Sequence, residues 1–169
     1  FYMDKLVGPP ALRGLLEISD PPEATLERAA AALGKPVDQL QVVALDKPRH
    51  ESLIAQLRAT GAEVTTPSDG DVAGALAALL PDGDADLLMG IGGTPEGVMT
   101  ACAVRALGGF MQARLAPQRP EEAKAVASAG LGTEHVYDPC ELVAGDCCFV
   151  ATSVTGGALL RRPWRANGQ

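Results

Sequence analysis

Apolar positions along the chain alternate between strand-length runs and segments with helical periodicity. Short apolar runs predict three strands, and the segments after them place apolar residues on one helical face. The predicted strands cover residues 40–45, 63–66 and 85–89, and the predicted helices cover residues 23–33, 51–60, 72–80 and 96–107. This β-α-β-α-β-α order with short connections predicts an α/β fold, with a mostly parallel or mixed sheet flanked by helices.

The two ends of the chain carry weaker patterns. Residues 1–20 contain two prolines next to a glycine and are predicted to be irregular. We therefore divide the chain into an entry segment with one helix, residues 1–36, and an α/β domain, residues 37–169, that is incomplete at its C-terminus. Further predicted elements are strands at 110–115, 147–153 and 159–164 and a polar helix at 120–129. Neither end resembles a natural terminus, so we expect the chain to be cut from a longer protein.

Polar loops follow each of the three predicted strands. Their sequences are DKPRH at residues 46–50, PSDGD at 67–71 and GIGGTPEG at 90–97. Ligands bind beyond the carboxyl ends of parallel strands, where such loops meet. We therefore expect all three loops to converge on one edge of the sheet and to form the binding site there.

The glycine-rich segment has the composition of a phosphate-binding loop followed by a helix. Gly90, Gly92 and Gly93 allow close backbone approach and positive φ, and Pro95 suits a first helical turn. A helix N-terminus attracts anions, so the carboxylate of Glu96 needs a reason to be there. It either compensates the helix dipole or ligates a metal ion, and the residues alone leave both alternatives open.

The other two loops carry charges that suit a phosphosugar. Lys47 and Arg49 flank Pro48, and such cations bind phosphate, although a solvated basic loop is the simpler interpretation. Asp69 and Asp71 flank a glycine and suit sugar hydroxyls or a divalent ion. The alternative for Asp69 is to cap the following helix.

Composition and charge exclude several classes of protein. A net charge of −7 lacks the basic surface that nucleic-acid binding requires. It also favours a divalent cation if the substrate is anionic. No apolar run approaches the ~20 residues of a membrane span, and no signal peptide opens the chain, so we expect a cytoplasmic protein. The four cysteines show no metal or disulfide spacing and are interpreted as reduced, mostly structural thiols.

Motifs for nucleotide binding and nucleophilic catalysis are absent. The glycine segment does not follow the first predicted strand, as a dinucleotide fingerprint requires, and no P-loop sequence occurs. A G-x-S-x-G motif is missing, and His50 and His135 have no evident nucleophile partner. We interpret His50 as a helix-capping or packing residue rather than a catalytic base.

Four segments together resemble the bacterial class II fructose-1,6-bisphosphatases in their residues, order and spacing. They are YMDK at residues 2–5, DKPRH at 46–50, SDGDVA at 68–73 and MGIGGTPEGV at 89–98. The resemblance covers residues 1 to about 160. That family belongs to the metal-dependent, lithium-sensitive phosphatases, which have an α/β architecture. It hydrolyses the 1-phosphate of fructose 1,6-bisphosphate in gluconeogenesis with Mn²⁺ or Mg²⁺, and some members also accept sedoheptulose 1,7-bisphosphate.

The resemblance implies a role for each motif residue. Tyr2 and the Lys47-Pro48-Arg49 segment would hold the phosphate that is not cleaved. Asp69, Gly70 and Asp71 would bind the sugar, Gly93 would contact it through its backbone, and Glu96 would ligate a catalytic metal. Family members are usually dimers or tetramers, so the resemblance also implies a homo-oligomer.

The resemblance also exposes a gap. The family's other metal-ligating carboxylates belong to an N-terminal region that this chain does not contain, and SVTGG at 153–157 replaces the usual G-V-T-D-G. The first hypothesis is therefore the substrate-binding portion of such an enzyme, inactive alone and with its catalytic residues elsewhere. The second is a non-catalytic phosphosugar-binding module, and the third a nucleotide-dependent oxidoreductase.

Overall fold

A mixed five-stranded sheet with helices on both faces forms the centre of the fold in the computed structural model, which describes residues 1–152. The strands are Tyr2–Gly8 (β1), Gln41–Val43 (β2), Glu63–Thr65 (β3), Leu87–Gly93 (β4) and Phe110–Leu115 (β5). The helices are Pro22–Leu33 (α1), Glu51–Ala59 (α2), Asp71–Leu79 (α3), Thr94–Leu107 (α4), Pro120–Ser128 (α5) and Pro139–Leu142 (α6). The predicted α/β fold with a mixed sheet is confirmed.

The strand order in the sheet is β3-β2-β4-β1-β5. Strand β2 runs parallel to β3 and β4, whereas β1 runs antiparallel to β4 and β5. Strands β2 to β5 therefore all point the same way. Their carboxyl ends and the amino end of β1 lie at one edge of the sheet, which we call the carboxyl edge.

The prediction that residues 1–20 are irregular is wrong, because Tyr2–Gly8 forms a seven-residue strand between β4 and β5. Asp4 and Lys5 interrupt the apolar pattern that would have indicated a strand. Both have partners in the fold: Arg114 pairs with Asp4 across the sheet, and Asp71 pairs with Lys5. The division into residues 1–36 and 37–169 stays a prediction, although β1 pairs with strands of the second part.

Two apolar clusters cover the two faces of the sheet. On one face Leu26 of α1 and Leu57 of α2 pack against Leu6 and Leu87. On the other face residues of α3 and α4 pack against the next positions of the same strands, which include Met3, Val7 and Leu88. Successive side chains of a strand point to opposite faces, so each strand contributes to both clusters. The helices therefore bury apolar side chains on both faces of the sheet.

The remaining predictions have mixed outcomes. Helices α1 to α5 and strand β5 confirm the predicted elements to within about two residues, the usual uncertainty of helix ends. Residues 147–152 contain no strand, and the predicted strand at 159–164 lies outside the described residues. All four cysteines are free, but Cys140 and Cys148 are exposed and therefore not core residues. Among the helices of residues 1–152, none is long and apolar enough to cross a membrane.

Candidate active site at the carboxyl edge

The predicted loops meet at the carboxyl edge, and polar contacts connect them. Lys47 Nζ donates to Asp69 Oδ1 at 2.9 Å, and Arg49 Nε donates to Ile91 O at 2.8 Å. The backbone N–H of Asp46 also donates to Pro67 O at 2.8 Å. The loop after β2 thus contacts both the loop after β3 and the end of β4, and the predicted convergence of the three segments is confirmed.

Tyr2 joins this edge because β1 runs antiparallel to its neighbours. Its Cα pairs with Gly93 in the sheet register. The guanidinium of Arg49 lies 5.0 Å from the centroid of the Tyr2 ring, within the range of a cation–π contact. Pro48 opens the short 3₁₀ turn Pro48–His50 and so fixes the backbone beside Arg49. Within residues 1–152, the Nη atoms of Arg49 have no hydrogen-bond acceptor, so they are available to an anion.

The glycine-rich segment is strand rather than loop, which corrects the prediction. Gly90, Gly92 and Gly93 all belong to β4, and of these three residues only Gly90 has positive φ, at 132°. A Cβ on Gly92 would lie 2.0 Å from Asp71 Oδ2, and one on Gly93 would lie 2.0 Å from Glu96 Oε2. Gly92 and Gly93 therefore make room for carboxylates of the chain itself.

His50 is a packing residue that holds β4 in place. Its buried ring has Nδ1 2.8 Å from Leu45 O, while the backbone N–H of Ile91 donates to Nε2 at 2.7 Å. Because Nε2 accepts, Nδ1 carries the proton and donates to Leu45, so the ring is neutral. Burial lowers the pKa of His50, which agrees with the neutral form. The packing interpretation is confirmed, and the side chain does not cap α2.

The two aspartates after β3 have different surroundings. Asp69 is largely exposed, contacts Lys47 and does not cap α3, whose N-cap is Gly70 with φ of 95°. Asp71 is buried and forms an ion pair with Lys5, whose side chain is fully buried. The backbone N–H of Val72 also donates to Asp71 Oδ1 at 2.9 Å. Asp69 is therefore accessible to a ligand from solvent, whereas Asp71 is fixed by its own chain.

Glu96 lies in the first turn of α4, half-buried above Gly93. Its carboxylate oxygens have no hydrogen-bond partner within the described part of the chain, and Thr94 Oγ1 beside it is buried without a partner there. Residues 1–152 contain no group of three or more His, Cys, Asp or Glu side chains that could hold a metal ion. Glu96 could supply one ligand, but these residues do not complete a metal site.

A family model described as "Bacterial fructose-1,6-bisphosphatase, glpX-encoded" matches residues 1–169. The chain belongs to this family. It is 44% identical to the class 2 fructose-1,6-bisphosphatase of Haemophilus influenzae, over 95% of this chain and 52% of that protein. It is 40% identical to fructose-1,6-bisphosphatase 2 class 2 of Escherichia coli K12, over 94% of this chain and 54% of that protein.

A third relative has a broader name. The D-fructose 1,6-bisphosphatase class 2/sedoheptulose 1,7-bisphosphatase of Synechococcus sp. is 37% identical, over 94% of this chain and 52% of that protein. The chain therefore spans about half the length of the curated relatives it matches.

No pattern in the sequence assigns a role to Lys5 or partners to His50, although both residues organise the edge in this member of the family. Lys5 belongs to the YMDK segment that resembles the family, but no function was predicted for it. The hydrogen-bond partners of His50 were not predicted either. A lysine between the apolar residues Met3 and Val7 was the available signal for Lys5. The partners of His50 at Leu45 and Ile91 follow from the register of β2 and β4, which no local pattern encodes.

Proposed function

We propose that the protein containing this chain is a class II fructose-1,6-bisphosphatase. It hydrolyses the 1-phosphate of fructose 1,6-bisphosphate to fructose 6-phosphate and inorganic phosphate. The observation that carries this proposal is the match of the family model to the whole chain, residues 1–169. The meeting of the loops at 46–50 and 67–71 with the end of β4 and with Tyr2 at one edge of the sheet supports it independently.

Within this function the carboxyl edge holds the substrate. Arg49 and Lys47 carry the charge for the phosphate that stays on the sugar, and Tyr2 and Pro48 fix their position. The guanidinium fork suits a phosphate, and a phosphate would compete with Asp69 for Lys47. The exposed Asp69 and the backbone at Gly70 and Gly93 suit sugar hydroxyls. Asp71 is the last residue of the same sugar-binding loop.

The chemical step needs residues beyond those at 1–152, which do not complete a metal site. We assign Glu96 as one ligand of a divalent ion, Mn²⁺ or Mg²⁺, and the remaining ligands to other parts of the reading frame. The ion would supply the charge that stabilises the reacting phosphoryl group. The chain alone is then expected to bind the sugar bisphosphate without hydrolysing it. The whole protein is expected to be a cytoplasmic homo-oligomer.

Phosphate release from fructose 1,6-bisphosphate tests the proposal. With Mn²⁺ or Mg²⁺, we expect activity from the longest reading frame that encodes this chain and none from the 169-residue chain. Glu96→Ala in the longer protein should lower kcat by about 100-fold or more, the range for losing one group that stabilises charge in the transition state. Glu121→Ala is the matched control, because Glu121 follows Pro120 in the first turn of α5 as Glu96 follows Pro95 in α4.

Two results would contradict this proposal. An inactive long protein would reject the phosphatase function, and full activity of Glu96→Ala would reject the metal-ligand role. The same assay with sedoheptulose 1,7-bisphosphate tests the broader specificity in the name of the Synechococcus relative.

A non-catalytic phosphosugar-binding module is the second candidate. The specific observation that favours it is the lack of a three-ligand metal group in residues 1–152. This alternative would be supported if the protein that the longest reading frame encodes bound fructose 1,6-bisphosphate but released no phosphate with any divalent ion tested.

A further inference from the structure

Lys5 is a buried cation in the middle of β1, between strands β4 and β5. Its side chain is fully enclosed on the face of the sheet that α3 and α4 cover, and its neighbours on that face are Met3 and Val7. A lone ammonium group in such surroundings is strongly unfavourable unless a partner compensates it. A methionine or leucine would fill the same space without that penalty, so the charge calls for an explanation.

The Lys5 ammonium contacts two elements of the carboxyl edge at once. It pairs with Asp71 Oδ2 at the start of α3, and it lies 3.5 Å from Gly93 O at the junction of β4 and α4. Asp71 ends the loop PSDGD, and Gly93 precedes the turn that carries Glu96. Lys5 therefore connects the loop after β3 to the end of β4.

Gly92 is adapted to this contact. Its backbone does not have positive φ, so conformational freedom does not explain the glycine. A Cβ there would lie 2.0 Å from Asp71 Oδ2 and 2.6 Å from Lys5 Nζ. The missing side chain therefore leaves the space that the ion pair occupies. Strand β4 and the ion pair fit together as one unit.

We propose that Lys5 is a positioning residue that fixes the PSDGD loop against the β4–α4 junction. It touches no substrate itself, since its side chain is fully enclosed. Its effect on substrate binding rests on the proposed function, because that function places the sugar between these two segments. The mechanical part, the coupling of the two segments, is independent of the substrate.

Hydrogen exchange and enzyme kinetics test the proposal on the protein that the longest reading frame encodes. In Lys5→Met we expect the amides of residues 70–74 and of Gly93, Thr94, Glu96 and Gly97 to exchange about tenfold faster or more, while α1 stays unchanged. We also expect KM for fructose 1,6-bisphosphate to rise about tenfold or more, with a smaller change in kcat. Lys35→Met is the matched control, since Lys35 pairs with Asp86 at the opposite edge of the sheet. It should change neither readout.

A second variant covers the case in which Lys5→Met does not fold. Lys5→Met/Asp71→Asn removes both charges and leaves no unpaired ion, and the same two segments should exchange faster. Unchanged exchange in these segments, or a uniform increase through the whole protein, would overturn the proposal. If the exchange result holds while the wild-type protein releases no phosphate, the positioning role stands and the phosphatase function fails.

Discussion

The end of β4 is held from both faces of the sheet, by a neutral group on one side and a charged pair on the other. On the α1–α2 face, His50 accepts from the backbone of Ile91 and donates to Leu45. On the α3–α4 face, Lys5 and Asp71 form an ion pair against Gly92. We call these the neutral anchor and the charged anchor.

The comparison explains a glycine pattern that looks like a ligand-binding loop. Gly90 and Gly92 are two residues apart, so in a regular strand their Cβ positions would share a face. The positive φ of Gly90 instead directs its Cβ position to within 2.9 Å of His50 Nε2, on the other face. Each glycine therefore serves one anchor. The segment is fixed in advance, which suits a surface that must hold a ligand precisely.

Breaking the charged anchor should have the larger effect on stability. Gly92→Ala forces a Cβ into the ion pair, so we expect the free energy of unfolding to fall by about 3–5 kcal/mol, the range for breaking a buried pair. Urea unfolding measures the change. Gly132→Ala is the control, since a Cβ there meets nothing within 4 Å. A loss below about 1 kcal/mol would mean that the pair moves aside freely.

Breaking the neutral anchor should have a smaller effect. His50→Leu fills the buried site with an apolar side chain but leaves Leu45 O and the Ile91 N–H without their hydrogen-bond partner. We expect a loss of about 2–3 kcal/mol, because an unsatisfied buried group contributes about 1–3 kcal/mol and the bond from Ile91 is only partly buried. His135→Leu at an exposed site is the control. If His50→Leu were as stable as His135→Leu, His50 would not anchor β4.

The sequence predicts the site better than it predicts the strand that carries it. The loops at 46–50 and 67–71 were recognisable because polar residues follow short apolar strands, and parallel strands end at one edge. Strand β1 was missed because Asp4 and Lys5 break its apolar pattern, and their partners Arg114 and Asp71 are distant in sequence. GIGG was assigned to a loop because glycine usually disfavours strands. Both errors arise where tertiary contacts override local preference.

The smallest expected effect is a pH dependence of the free energy of unfolding that comes from the neutral anchor. Burial lowers the pKa of His50 below its ordinary value of 6.5, although Asp4 nearby opposes the shift and Arg49 adds to it. Below pH 6.5 the unfolded chain therefore binds a proton that the folded chain excludes, and stability falls as the pH drops. We expect a steeper loss between pH 7 and about 5 in the wild type than in His50→Leu.

The difference in slope between these two proteins cannot exceed about 1.4 kcal/mol per pH unit, the limit for one titrating group. Urea unfolding at each pH measures it. Identical slopes would show that His50 is protonated equally in the folded and unfolded chains.

The proposed function depends on one claim, that the carboxyl edge of this chain binds a phosphorylated sugar. Calorimetric titration of the 169-residue chain with fructose 1,6-bisphosphate tests it most directly. We expect binding by the wild type and about tenfold weaker binding or worse in Arg49→Met, which removes the guanidinium above Tyr2. Arg28→Met, at an exposed ion pair with Asp20, should bind like the wild type. Absence of binding by the folded wild type, or equal affinity in Arg49→Met, would contradict the claim.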